Sequence, residues 1–233
     1  MQGFYRDVGR NESVSEGYGP RAAPGEWLPL LLDAYIVVSQ LARRFGLEVV
    51  IAGAGAYSLH VEADPTKDVD LVFSKPLPVS ALPTILEELS RELRFRKWNV
   101  IGGRIQQGRS AEDWVIQLFV AVKPGRVVSV EVFNLLAVRP LSFFEVTEVE
   151  IESIKVKVLT LESWIASKLA DPNGVDELNV RRLEKAVRRG INEAKLFEIL
   201  MGLGMREVVS INARSAMRRT QDRRLIELLQ MLV

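Results

Sequence analysis

Residues 49–73, VVIAGAGAYSLHVEADPTKDVDLVF, decide how this chain is read. Val49 to Ile51 is an apolar run suited to a buried strand. Gly53-Ala54-Gly55 makes a turn of small residues, a short helix follows, and DVDLVF reads as a second strand. Side chains on a strand alternate between faces, so Asp68 and Asp70 share one face while Val69 and Leu71 take the other. Their Cα atoms are expected roughly 6.6 Å apart, at about 3.3 Å per residue. Two carboxylates at that spacing can converge on one divalent cation. Burying unpaired charge is expensive, so packing alone does not put two acids into an apolar strand, and a functional reason is expected.

The flanks extend this into an α/β chain. From Glu26 to Phe45 the apolar residues recur at helical spacing, with Pro29 expected in the first turn and Gly46 ending the helix. After DVDLVF, the KPLPVS segment is a turn-rich break, and Val79–Leu93 reads as an amphipathic helix with Leu82, Ile85, Leu86, Leu89 and Leu93 inward. One or two short strands are expected in Phe95–Gln107. Trp114–Val122 and Val127–Phe133 read as strands joined by a Lys123-Pro124-Gly125-Arg126 hairpin turn, with further β pieces at Glu145–Ile151 and Ile154–Leu159. Beyond Thr160, a helix cap, the pattern is helical to the end. The expected organisation is an arm over residues 1–25, an α/β domain over 26–159 and a helical subdomain over 160–233.

Composition sets the outer limits. The 233 residues are 48% hydrophobic and 26% charged, enough for a sizeable core. The net charge of +1 gives no global polyanion signal, although from Val175 onward 12 Lys and Arg outnumber 8 acids. Without cysteine there is neither a disulfide framework nor a thiolate metal site, which fits a reducing, cytoplasmic setting. No apolar run approaches the ~18 residues of a membrane span, and the first 26 residues lack a signal-peptide core.

A third acid, Glu131, interrupts the apolar VVSVEVF strand together with Ser129. On a strand next to Asp68 and Asp70 it would complete a two-metal site. The glycine turn at a helix N-terminus suits phosphate, because glycine admits close backbone approach and the first N–H groups are free. It is neither a Walker loop nor GxGxxG.

The run GAGAYSLHVEADPTKDVDL resembles the polymerase-beta-like nucleotidyltransferases. It is similar to their minimal members, including the nucleotidyltransferase components of type IV toxin–antitoxin systems. The resemblance covers roughly residues 48 to 190 and includes the VKVLTLESWIASKLADPNGVDELNVRRLEKA segment. It implies a nucleotidyltransferase fold, a small mixed sheet flanked by helices with a helical continuation. It also implies Mg²⁺, with Mn²⁺ as an alternative, held by Asp68, Asp70 and Glu131 as the catalytic acids. Gly53, Ala54, Gly55 and Lys168 would bind the nucleotide. The expected partners are an NTP and a hydroxyl acceptor on a small molecule, protein or RNA. Ala54 stands where the family usually has Gly or Ser, Asp64 where a basic residue is common, and Glu131 where Asp is more usual. These departures motivate an alternative, a catalytically degenerate member that binds nucleotide or a partner.

Other conspicuous residues have plainer readings. His60, the only histidine, reads as a packed or capping residue. Arg181, Arg182, Lys185, Arg188 and Arg189 read as a solvated helix face, with RNA contact as the rival. Trp27, Trp98, Trp114 and Trp164 read as core or interface residues.

Overall fold

The computed structural model describes residues 20–108, 110 and 112–233. In chain order its elements are α1 (Pro24–Arg43), β1 (Val49–Ile51), α2 (Gly53–His60), β2 (Asp68–Phe73), α3 (Leu82–Phe95), β3 (Asn99–Gln107), β4 (Trp114–Lys123) and β5 (Arg126–Phe133). There follow β6 (Val146–Ile151), β7 (Ile154–Leu159), α4 (Leu161–Leu169), α5 (Glu177–Arg189), α6 (Glu193–Leu203), α7 (Arg206–Met217) and α8 (Arg223–Gln230). The class is mixed α/β, as the sequence patterns require. Two compact units form: residues up to Val49 with Asp64–Asn134, and Val50–Ala63 with Leu135–Val233. Most of the expected arm, residues 1–19, lies outside the described residues. Near its end Ala22 is fully buried and exchanges two backbone hydrogen bonds with Thr66, at 2.8 and 3.0 Å.

In the first unit the strands run in the order β3-β4-β5-β2. The β3–β4 and β4–β5 pairs are antiparallel, and β2 lies parallel to β5. Alternation sorts the faces. Val128, Val130 and Val132 of β5 are buried, as are Ile116, Leu118 and Val120 of β4, while Ser129 and Glu131 point the other way and stay half-buried. Helices α1 and α3 pack on the valine side. Fully burying Leu30 and Leu31 of α1, or Leu89 and Leu93 of α3, contributes about 1.5–3 kcal/mol each. At Gly103 helix and sheet come close: a Cβ there would lie 2.8 Å from Leu86 Cδ1 and 2.9 Å from Leu118 Cδ1.

Two local expectations are corrected. Pro24, not Pro29, occupies the first turn of α1, so Pro29 falls inside the helix. Helix α1 ends at Arg43, short of the expected Phe45, and the chain leaves it through Gly46 at φ +67°, with Leu47 N–H returning to Ala42 O at 3.1 Å. Phe95–Gln107 yields a single strand, β3, bulged between Val100 and Gly102. The β4–β5 hairpin closes at Lys123 opposite Arg126, with Gly125 at φ +72° supplying the left-handed residue its turn needs.

In the second unit β7 lies between β1, to which it is parallel, and β6, to which it is antiparallel. Helix α4 is its centre: Leu161, Trp164, Ile165, Ala166 and Leu169 are all buried, and it packs on α2, α5, α6, α7 and β7. Thr160 Oγ1 accepts from Ser163 N–H at 3.2 Å, the expected cap. At the other end Asn212, which is buried, donates to Leu169 O at 2.9 Å and Asp171 O at 2.8 Å, satisfying carbonyls the helix leaves open. Asp176, Asn192 and Asp222 cap the N-termini of α5, α6 and α8, each accepting from a backbone N–H three residues on.

Candidate functional site

Strand β2 is pinned where it begins. Thr66 Oγ1 accepts from Asp68 N–H at 3.2 Å, and Ser129 N–H donates to Lys67 O at 2.8 Å. This fixes the parallel register, with Asp68 opposite Ser129 and Asp70 opposite Glu131. Register partners on neighbouring strands project to the same side. Asp68, Asp70 and Glu131 therefore share one face, opposite the face that α1 and α3 cover. The register continues outward, Glu131 opposite Gln117 and Gln117 opposite Arg104. A polar row, Asp70, Glu131, Gln117, Arg104, thus crosses all four strands of the first unit.

Hydrogen bonds tie three members of this row together. Arg104 Nε donates to Gln117 Oε1 at 2.6 Å, and Gln117 Nε2 donates to Glu131 Oε1 at 2.8 Å. Ser129 Oγ donates to the same Glu131 oxygen at 3.1 Å. Loss of solvent, then the negative charges of Asp70 and Asp68, push the Glu131 carboxyl up to about 8, against the opposing pull of Gln117 and Ser129. At neutral pH it therefore favours its protonated form. Sequence reasoning found the three acids and Ser129 but missed Gln117 and Arg104. The available signal was a lone amide within the apolar WVIQLFV run of β4.

The donor set suits a hard divalent cation in kind: three carboxylates on one face of two adjacent strands. Glu131 Oε2 also accepts no hydrogen bond among the described residues, whereas Oε1 takes two. The acids are not already drawn to one point. Among the described residues no group of three or more His, Asp or Glu stands in an arrangement that holds a metal ion.

The residues expected to contact nucleotide belong to the second unit. Gly53 opens α2 at φ +48°, and Gly53, Ala54 and Gly55 are all buried. Lys168 is half-buried in the last turn of α4. Below the glycine turn Tyr57 and Trp164 pack with ring centroids 5.1 Å apart, and the guanidinium of Arg182 lies 5.3 Å from the Tyr57 ring centroid. Arg182 is thus a core residue, unlike the solvated one expected. His60 Nε2 lies 2.7 Å from Leu159 O, and since a carbonyl only accepts, that nitrogen carries the proton. Most of the basic face of α5 is ion-paired: Arg181 with Glu177, Lys185 with Glu62, and Arg188 with Asp222 at 2.6 Å. Trp27 and Trp164 are buried, while Trp98 and Trp114 are half-buried. None of the described helices is long and apolar enough to cross a membrane.

No protein-family model matches the chain, and no curated protein does. Solved structures are similar to it. An antigenic nucleotidyltransferase-like protein from Paracoccidioides brasiliensis is 18% identical with a TM-score of 0.44, over 91% of this chain and 95% of that one. A cytoplasmic RNA terminal U-transferase is 16% identical with a TM-score of 0.30, over 48% of this chain and 30% of its own. The non-canonical poly(A) polymerase complex GLD-2–GLD-3 is 12% identical with a TM-score of 0.36, over 73% and 45%.

Proposed function

We propose that the protein is a Mg²⁺-dependent nucleotidyltransferase that moves a nucleoside monophosphate from an NTP to a hydroxyl acceptor on a small molecule, protein or RNA. One observation carries the reading: Asp70 and Glu131 are in register on parallel strands, with Asp68 two residues along on the same face. These three would hold Mg²⁺, or Mn²⁺ in its place. When bound, the ion supplies positive charge that offsets the triphosphate and the departing pyrophosphate. Asp68 and Asp70 contribute oxygen ligands from a pinned strand. Glu131 would serve one of the two duties open to a third acid: ligating through Oε2, or taking the acceptor hydroxyl's proton there. Phosphate contact by Gly53, Ala54, Gly55 and Lys168 rests on the sequence resemblance, as does membership of a toxin–antitoxin pair.

The test is pyrophosphate release from each NTP over a panel of acceptors. Asp70→Asn is expected to abolish turnover while the melting temperature holds. Wild-type turnover that survives a chelator contradicts the reading.

A second reading is a degenerate member that binds nucleotide or a partner without transfer. It is favoured by the burial of Gly53–Gly55 and by acids not yet gathered for an ion. Calorimetry with ATP and Mg²⁺ separates the two: binding without turnover across the panel supports the second.

A further inference from the structure

We infer that Gln117, itself held by Arg104, is a positioning residue that fixes Glu131 as a one-oxygen ligand for a divalent cation. The inference rests on the nucleotidyltransferase reading for the duty of Glu131, and on the geometry of the first unit for everything else.

Gln117 lies between two buried apolar neighbours, Ile116 and Leu118, and is only 9% exposed. A buried amide costs free energy unless its polar atoms are satisfied, so an apolar residue would be the default there. Its orientation is forced. Arg104 Nε can only donate, so the atom 2.6 Å from it is the amide oxygen, and the NH₂ group must face Glu131. Arg104 is held in turn: Nη2 donates to Gln106 Oε1 at 3.2 Å, and its guanidinium sits 5.8 Å from the Phe119 ring centroid.

The consequence falls on one atom. Gln117 Nε2 and Ser129 Oγ both donate to Glu131 Oε1, so that oxygen is occupied from two strands. Oε2 is left as the ligating oxygen. Carboxylates that bind metal are commonly oriented by such hydrogen bonds, and losing the partner typically costs about 10–100-fold in metal affinity or activity. A linear chain also predicts non-additivity. Once Gln117 is gone, Arg104 has nothing to transmit.

Mn²⁺ alone is the probe, titrated into the full chain and followed by electron paramagnetic resonance, with melting curves as the folding control. Wild-type protein is expected to bind Mn²⁺ in a manner that Asp70→Asn loses. Gln117→Leu and Arg104→Met should each weaken binding about 10–100-fold, and the double variant should be no weaker than Gln117→Leu. Arg104 is half-buried, so Arg104→Met keeps the test decisive if Gln117→Leu fails to fold. In turnover, kcat at saturating NTP should fall in both variants while KM for NTP moves less than about twofold. Wild-type Mn²⁺ affinity in a folded Arg104→Met or Gln117→Leu overturns the inference and leaves the nucleotidyltransferase reading standing. Equal Mn²⁺ binding by wild type and Asp70→Asn overturns both.

Discussion

Asp70 of β2 and Glu131 of β5 are register partners across a parallel strand pair, so two carboxylates leave the sheet side by side. Loss of solvent around Glu131, with the repulsion between the two carboxylates added to it, favours a proton on Glu131. The sign for stability follows. The folded state holds this proton up to about pH 8, whereas the unfolded chain releases it near 4.5. Stability from this group is complete below the unfolded value and is lost as pH rises towards the folded one. In chelator, the melting temperature of wild type should fall relative to that of Glu131→Gln as pH rises from 4.5 to 8. Parallel curves would show that Glu131 titrates as an ordinary carboxylate.

Glu26 is the opposite case. Hydrogen bonds from Arg126, then Lys123, then the Ala23 backbone hold its carboxyl down to about 2. Those contacts, at 2.6 to 2.9 Å, tie the first turn of α1 to the β4–β5 hairpin. Here the stabilisation is present above the unfolded value of 4.5 and drains away as pH falls towards 2. Denaturant titrations of wild type and Glu26→Gln should differ at pH 6 and converge between pH 4.5 and 2. A gap that persists unchanged at pH 2 would contradict the assignment.

The two aspartates were legible in the sequence because period-two alternation places them without tertiary knowledge. The hairpin at Pro124-Gly125 was legible for a similar reason, since its turn chemistry is local. The relation of Glu131 to Asp70 was only half legible. Alternation gives a residue's face, but the pairing of strands far apart in the chain depends on packing and on backbone anchors such as the Ser129–Lys67 bond. Gln117 and Arg104 escaped because one amide in an apolar strand acquires meaning only from what lies across from it. Arg182 looked like its neighbours on α5, and only the helix's docking against Tyr57 separates it from them.

Asn134 follows the end of β5 and is 1% exposed. Its Oδ1 accepts from Leu77 N–H at 3.1 Å and its Nδ2 donates to Leu77 O at 3.2 Å, so one side chain satisfies both backbone groups of a residue just past β2. Asn134→Ala strands that pair in the core. Each buried unsatisfied group costs about 1–3 kcal/mol, so the variant should lose at least about 2 kcal/mol by urea unfolding. In Asn134→Asp a carboxylate replaces the amide and supplies only the acceptor, so that variant should also be destabilised. Near-wild-type stability of Asn134→Ala would mean that water replaces the clamp.

The β6–β7 hairpin turns on Glu152 and Ser153, at φ +49° and +66°, between the paired Ile151 and Ile154. Two consecutive left-handed residues are what a two-residue hairpin turn with the strands' own twist requires. Neither Glu nor Ser is suited to it, and each left-handed L-residue costs about 1–2 kcal/mol. Asn and Gly adopt this conformation far more readily. Glu152→Asn combined with Ser153→Gly should therefore stabilise the protein, by about 0.5–1 kcal/mol once the extra freedom of glycine in the unfolded chain is counted. The denaturation midpoint should rise with the slope unchanged. Ser153→Val should lower it, because a β-branched side chain tolerates positive φ least. The opposite order of midpoints would show that the turn is held by its side chains and not limited by its backbone.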